Sequence, residues 1–200
     1  MTPDDDLRRR DPDRWLSSRF VADATARERL TALYLLDGEW ARIGAAVTNP
    51  LAGEIRLAWW AEAVERFAGG GAADHPALDH LGREAVRRLE PALQSVIEAR
   101  RWALTGGVAD GAAEIALMAA ATRLLDPNAP PQASEDAARV WATRRLDDLP
   151  AANTALSHLS VVAFPAVAHV TLVRVYAHNR TPGELERRAR IAWAVARGRL

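Results

Sequence analysis

Carboxylates and imidazoles are the groups through which this chain could do chemistry, because it has 26 Asp and Glu, five His and no Cys. The lack of cysteine removes thiol nucleophiles, disulfides and thiolate metal sites. The histidines, at 75, 80, 158, 169 and 178, include no i, i+4 pair with an intervening glutamate, which argues against a helical zinc site. His158 and His169 fall in an apolar stretch, where a hydrogen-bonded core imidazole is the expectation. No Gly-x-Ser-x-Gly, P-loop or Gly-x-Gly-x-x-Gly sequence occurs, which argues against serine hydrolysis and dedicated nucleotide loops.

Helical proteins that bind diphosphates hold Mg²⁺ through aspartates four apart on one helix face, since a hard cation takes oxygen ligands. Asp37 and Glu39 are two apart and so point about 200° apart around a helix. Asp147 and Asp148 are adjacent, with no carboxylate at 151 or 152. Both pairs therefore read as solvated acidic residues near helix ends.

The elements that must position these groups are helices. Leu33, Leu36, Trp40, Ile43 and Val47 recur at steps of three and four, as do Leu57, Trp60, Val64 and Phe67. Asn49-Pro50 separates these two helices and Gly69-Gly70-Gly71 ends the second. Trp60 fits the core stripe, while Arg56 and Trp59 either line a groove or face a neighbouring helix.

Asp11-Pro12-Asp13 offers an earlier helix start before Trp15, Leu16 and Phe20. Further on, one helix is expected through Leu78, Leu81, Ala85 and Leu89, and another from Pro91 to the Gly106-Gly107 stop. Asp110 is the expected cap of a segment through Ile115, Met118 and Leu125, and residues 126–132 form a loop. Ser134 is the expected cap of a helix ending near Pro150, and Pro165 should divide the apolar segment that follows. Thr181-Pro182-Gly183-Glu184 reads as a capping box for a last helix that stops at Gly198. With no alternating strand pattern, the expectation is all-α, a bundle of about eight helices in one domain over residues 1–200.

Basic and acidic residues balance at 26 each, and every basic one is arginine, so the bulk positive charge of a nucleic-acid binder is missing. The first ten residues carry no apolar signal region, which points to the cytoplasm. Leu149 to Val173 holds no formally charged residue and is long enough to span a bilayer, but Pro150, Asn153, Ser157, His158 and His169 favour a helix buried in protein.

DPDRWLSSRF, LTALYLLDGEWARI, NPLAGEIRLAWWAEAVERF and HPALDHL together resemble the squalene/phytoene synthase family, in particular its branch related to the complex I assembly factor. Weaker likeness continues in ADGAAEIALMAAATRLLD, AARVWATRRLDDLP and RIAWAVARGRL. The resemblance implies a shortened isoprenoid-synthase-like fold. Active members condense two prenyl diphosphates head to head, with Mg²⁺ held by two Asp-rich motifs.

By this resemblance the first motif falls on Ala41-Arg42-Ile43-Gly44-Ala45 and the second on Asp148-Leu149-Pro150-Ala151-Ala152. Three of four motif aspartates are thus replaced, leaving Asp147 and Asp148 as remnant candidates for catalysis. Asp37, Glu39, Arg42, Glu54, Arg56 and Trp59 are the candidates to line a groove. The resemblance implies a non-catalytic binding or assembly factor without cofactor. Its partner would be a protein at the inner membrane or an isoprenoid lipid, and its place the cytoplasm or the periphery of that membrane. The alternative is a Mg²⁺-dependent prenyltransferase.

Overall fold

The stretch from Thr2 to Arg14 already shows how local side-chain chemistry starts helices here. Thr2 and Asp5 bond each other's backbone N–H groups, opening α1 (Pro3–Arg10), with three aspartates in its first turn and three arginines in its last. This helix is absent from the sequence expectation, although Thr2-x-x-Asp5 is its signature. Asp11 accepts a hydrogen bond from the Arg14 N–H and starts α2 (Pro12–Ser18), as expected. The computed structural model describes residues 2–46, 49–107 and 111–200. Val47 and Asp110, expected as a stripe residue and a cap, lie outside the described residues.

The long helices α3 (Ala24–Ala46) and α4 (Pro50–Ala68) bury the stripes that periodicity assigns them. Asn49 caps α4 by accepting from the Leu51 N–H. Two departures follow. Gly82, at φ 84°, separates α5 (Pro76–Leu81) from α6 (Arg83–Leu104), and Pro91 lies inside α6 instead of starting a helix. An exposed face tolerates that ring at the loss of one backbone bond. α6 runs antiparallel to α4, with Gln94 donating to the Ala61 carbonyl at 2.9 Å and Arg87 to that of Ala68 at 3.3 Å.

α7 (Ala112–Leu125) is followed by the expected loop and α8 (Gln132–Thr143). Ser134 is buried within the first turn of α8 and does not cap it. The helix stops at Arg144, which turns left-handed, so Pro150 is not its end. Leu146–Asp148 forms a 3-10 turn and Pro150 lies in the first turn of α9 (Leu149–Leu156).

The uncharged stretch is therefore not one helix. After α9 it passes through 3-10 turns at Phe164–Ala166 and Ala168–Leu172 into α10 (Val173–Tyr176); Pro165 lies inside the first of these turns, and no continuous helix forms for it to divide. Residues 163–173 are buried in protein, and no described helix is long and apolar enough to cross a membrane. α11 (Glu184–Arg197) starts from Gly183 with no side-chain cap, so the expected Thr181 box does not form; Glu184 instead accepts from Arg188 at 2.5 Å. Gly198, left-handed, ends it as expected.

Among the described residues the chain is all-α, with eleven α-helices in place of about eight. Two apolar clusters form: one centred on α3, α4, α6 and α7, the other on α8, α9, residues 164–173 and α11. Trp15 and Leu159 pack against both.

Candidate functional site

The charged side chains that the fold brings together lie where α2, α3, α6 and α7 meet. Arg14, buried on α2, touches three carboxylates: Asp11 at 3.2 Å, Asp37 at 3.4 Å, and Glu114 of α7. Arg100 of α6 bonds the other oxygen of Asp37 at 2.7 Å. Burial alone would disfavour the Arg14 charge, yet these acids hold its pKa well above the ordinary arginine value. The Arg14 guanidinium also stands 5.3 Å from the Tyr34 ring centre, and burial raises the Tyr34 phenol pKa. Asp37 is thus not a solvated residue but a core one, because it shares the arc of Leu30, Leu33 and Trp40 on α3.

A second group ties α2 to the last third of the chain. Asp13 accepts from the Tyr176 hydroxyl at 2.6 Å and from Arg187 of α11. Burial raises the Asp13 pKa, against the opposing pull of those two donors. Nearby, Ser17 donates to the Pro165 carbonyl at 2.5 Å and Tyr34 to that of Ala166 at 3.3 Å.

The residues singled out in the sequence do not converge. Glu39 is half-buried and accepts from Arg10 at 2.9 Å and from the exposed Arg42. Glu54 is half-buried, Arg56 exposed, and Trp59 stands 41 % exposed, edge-on to the buried Trp60 at 5.0 Å. With Leu51 and Ile55 it forms an exposed apolar stripe on α4, opposite that helix's core face. Asp147 is exposed, and Asp148 lies 3.5 Å from Arg145. Among the described residues, no three His, Asp or Glu side chains are grouped to hold a metal.

Two cavities border the positions that the resemblance aligns with the two motifs. One of about 330 Å³ is bordered by Trp40, Ala41, Gly44, Pro50 and the α6 residues Arg100, Ala103 and Leu104. The other, an open groove of about 810 Å³, runs along Leu146, Leu149, Pro150, Asn153, Thr154 and Ser157 to Arg174, Gly198 and Arg199. Among the described residues their linings share no member, and each has arginine as its only charged type. A Mg²⁺ ion needs carboxylate oxygens at both places, so the residues present do not fit it.

The histidines divide. His158 is exposed, contrary to expectation. His169 is in the core as expected, but neither ring nitrogen has a hydrogen-bond partner among the described residues. The groups that sequence reading missed are Arg14, Arg100, Glu114, Asp13, Tyr176 and Arg187, which meet across as many as 174 positions.

No curated protein and no solved structure matches the chain. A family model for squalene/phytoene synthase matches residues 7–113, which include Arg14, Asp37, Ala41 and Arg100 and stop one short of Glu114. With its helices and that match over more than half its length, the chain belongs to the squalene/phytoene synthase family.

Proposed function

We propose that this family member is non-catalytic and acts by binding, as one helical domain over residues 1–200. The observation that carries this reading is the charge of the two cavities at the motif positions: among the described residues both are lined by arginine and neither by a carboxylate. Departure of an allylic diphosphate relies on metal ions that neutralise the leaving group. Interior carboxylates that could have served, Asp37 and Glu114, are engaged by Arg14 and Arg100. The exposed stripe of Leu51, Ile55 and Trp59 on α4 supports a binding role, since a helix apolar on two faces is suited to being covered on both. By family analogy the role is assembly of a respiratory complex, at the cytoplasmic periphery of the inner membrane. Purified protein with Mg²⁺ and farnesyl or geranylgeranyl diphosphate should give no condensed product. Turnover that is lost on chelation would end this reading.

One observation favours the alternative of an isoprenyl-diphosphate enzyme. The groove beside Asp147 and Asp148 offers Arg174 and Arg199, which make no ion pair among the described residues and suit a diphosphate. In that case the same assay gives product, and Asp148→Asn abolishes it.

A further inference from the structure

The last helix is apolar on two opposite faces. Its inner face, with Ile191, Ala194 and Val195, packs α11 against Ala168–Leu172 and α2. Leu185, Ala189 and Trp193 recur at steps of four on the outer side, and all three are exposed, Leu185 at 83 % and Trp193 at 62 %. Arg197, one step further along, lays its guanidinium 4.3 Å from the Trp193 ring centre.

The charge around this stripe is one-sided. Residues 174–200 hold seven arginines and two glutamates, in a chain whose charges balance overall. Glu184 is paired with Arg188, and Glu186 with both Arg180 and Arg190. Arg187 is committed to the buried Asp13. Arg174, Arg197 and Arg199 make no ion pair among the described residues. Arg174 and Arg199 border one groove with Gly198, so these charges gather at the carboxyl-terminal end of α11.

Neither that groove nor the smaller one between α2 and α11 has Leu185, Ala189 or Trp193 in its border. The stripe therefore stands on the convex outer side of the helix. Leu and Trp edged by arginine suit insertion among lipid headgroups, where apolar side chains reach the acyl boundary and guanidiniums stay at the phosphates. A peptide needs a concavity to lie in, and a second copy of this helix would bring like charges together.

We propose that the Leu185, Ala189 and Trp193 face of α11, with Arg174, Arg197 and Arg199, binds an anionic lipid surface. The inference rests on the proposed place at a membrane periphery and names the helix and the lipid charge responsible.

Cosedimentation of the full chain with vesicles of phosphatidylcholine alone, and of an equal mixture with phosphatidylglycerol, tests this. Binding at least about tenfold tighter to the mixed vesicles is expected, and it should be lost in high salt. Trp193→Ser, at an exposed position, should keep the fold and weaken binding about tenfold, and Arg197→Gln about fivefold, while Trp59→Ser on α4 binds as the wild type does. Brominated lipid should quench tryptophan fluorescence in the wild type and not in Trp193→Ser. The inference is overturned by no binding to mixed vesicles, by equal binding to neutral ones, by equal loss in Trp59→Ser, or by a Trp193→Ser variant that binds and is quenched as the wild type is. In the last two cases the membrane periphery stands with another surface responsible. In the first, capture of the chain by polyglutamate would assign the arginines to an acidic protein instead. Condensation activity is measured separately, so failure here leaves the non-catalytic reading standing.

Discussion

Asp37 and Arg100, 63 positions apart, meet at 2.7 Å with the carboxylate side chain only 4 % exposed. Arg14 takes the other carboxylate oxygen, so the acid on α3 is held between two cations. Removing one member of such a set leaves uncompensated charge where water cannot reach it. Asp37→Ala should therefore lower stability by about 3–5 kcal/mol, read from urea unfolding. Glu39→Gln, whose ion pairs are at the surface, should change it by no more than about 1 kcal/mol. Equal effects would mean that the interior placement of Asp37 is wrong.

The depressed pKa of His169 sets a pH dependence. Its folded-state value lies below the ordinary value of about 6.5, so between the two the unfolded chain binds a proton that the folded chain does not. The stability contributed is fully present above about pH 6.5 and is lost as pH falls toward the folded value, with a slope of up to about 1.4 kcal/mol per pH unit. Thermal melts of the wild type and His169→Asn between about pH 7.5 and pH 5 should diverge in slope, the variant being flatter. Parallel curves would place the imidazole in water.

Trp59 and Trp60 are neighbours in sequence with opposite environments. Trp60→Ala should cost about 3–5 kcal/mol, since the ring is buried between Trp40 and His75. Trp59→Ala should cost less than about 1 kcal/mol in the isolated chain. Acrylamide should quench the fluorescence lost in the Trp59 variant far more readily than that lost in the Trp60 variant.

Tyr176→Phe removes the hydroxyl that donates to Asp13 and leaves the carboxylate to Arg187 alone. A loss of about 1.5–3 kcal/mol is expected from a hydrogen bond to a charged group. Chemical denaturation decides it: an unchanged midpoint would place the hydroxyl in solvent.

Helix faces were legible in the sequence where apolar spacing is regular, as at Leu33 to Ile43 and Leu57 to Phe67. Their ends were legible where proline or glycine acts alone, as at Asn49-Pro50 and Gly198. Where several weak signals compete, packing decides. Pro91 looks like a start but sits on the outer face of α6, while Gly82, one residue in a left-handed turn, is the real break. Ser134 has a capping side chain, yet burial takes it into the helix. Asp37 carried a readable signal: it falls on the same arc as Leu30 and Trp40, and a carboxylate on a core face requires a partner. The identity of that partner was not readable, because pairs such as Arg14 with Glu114 exist only once the helices are packed.

Asp13, Ser17 and Tyr34 are bound to Tyr176, Pro165 and Ala166, 163, 148 and 132 positions later. Contacts so distant in the chain form slowly, since long loops must close before any of them is gained. During synthesis the first helices emerge with these polar groups bare and must wait for the last third of the polypeptide. A chain halted before Pro165 would expose them together with the apolar surface they sit in, the kind of intermediate on which holding chaperones act.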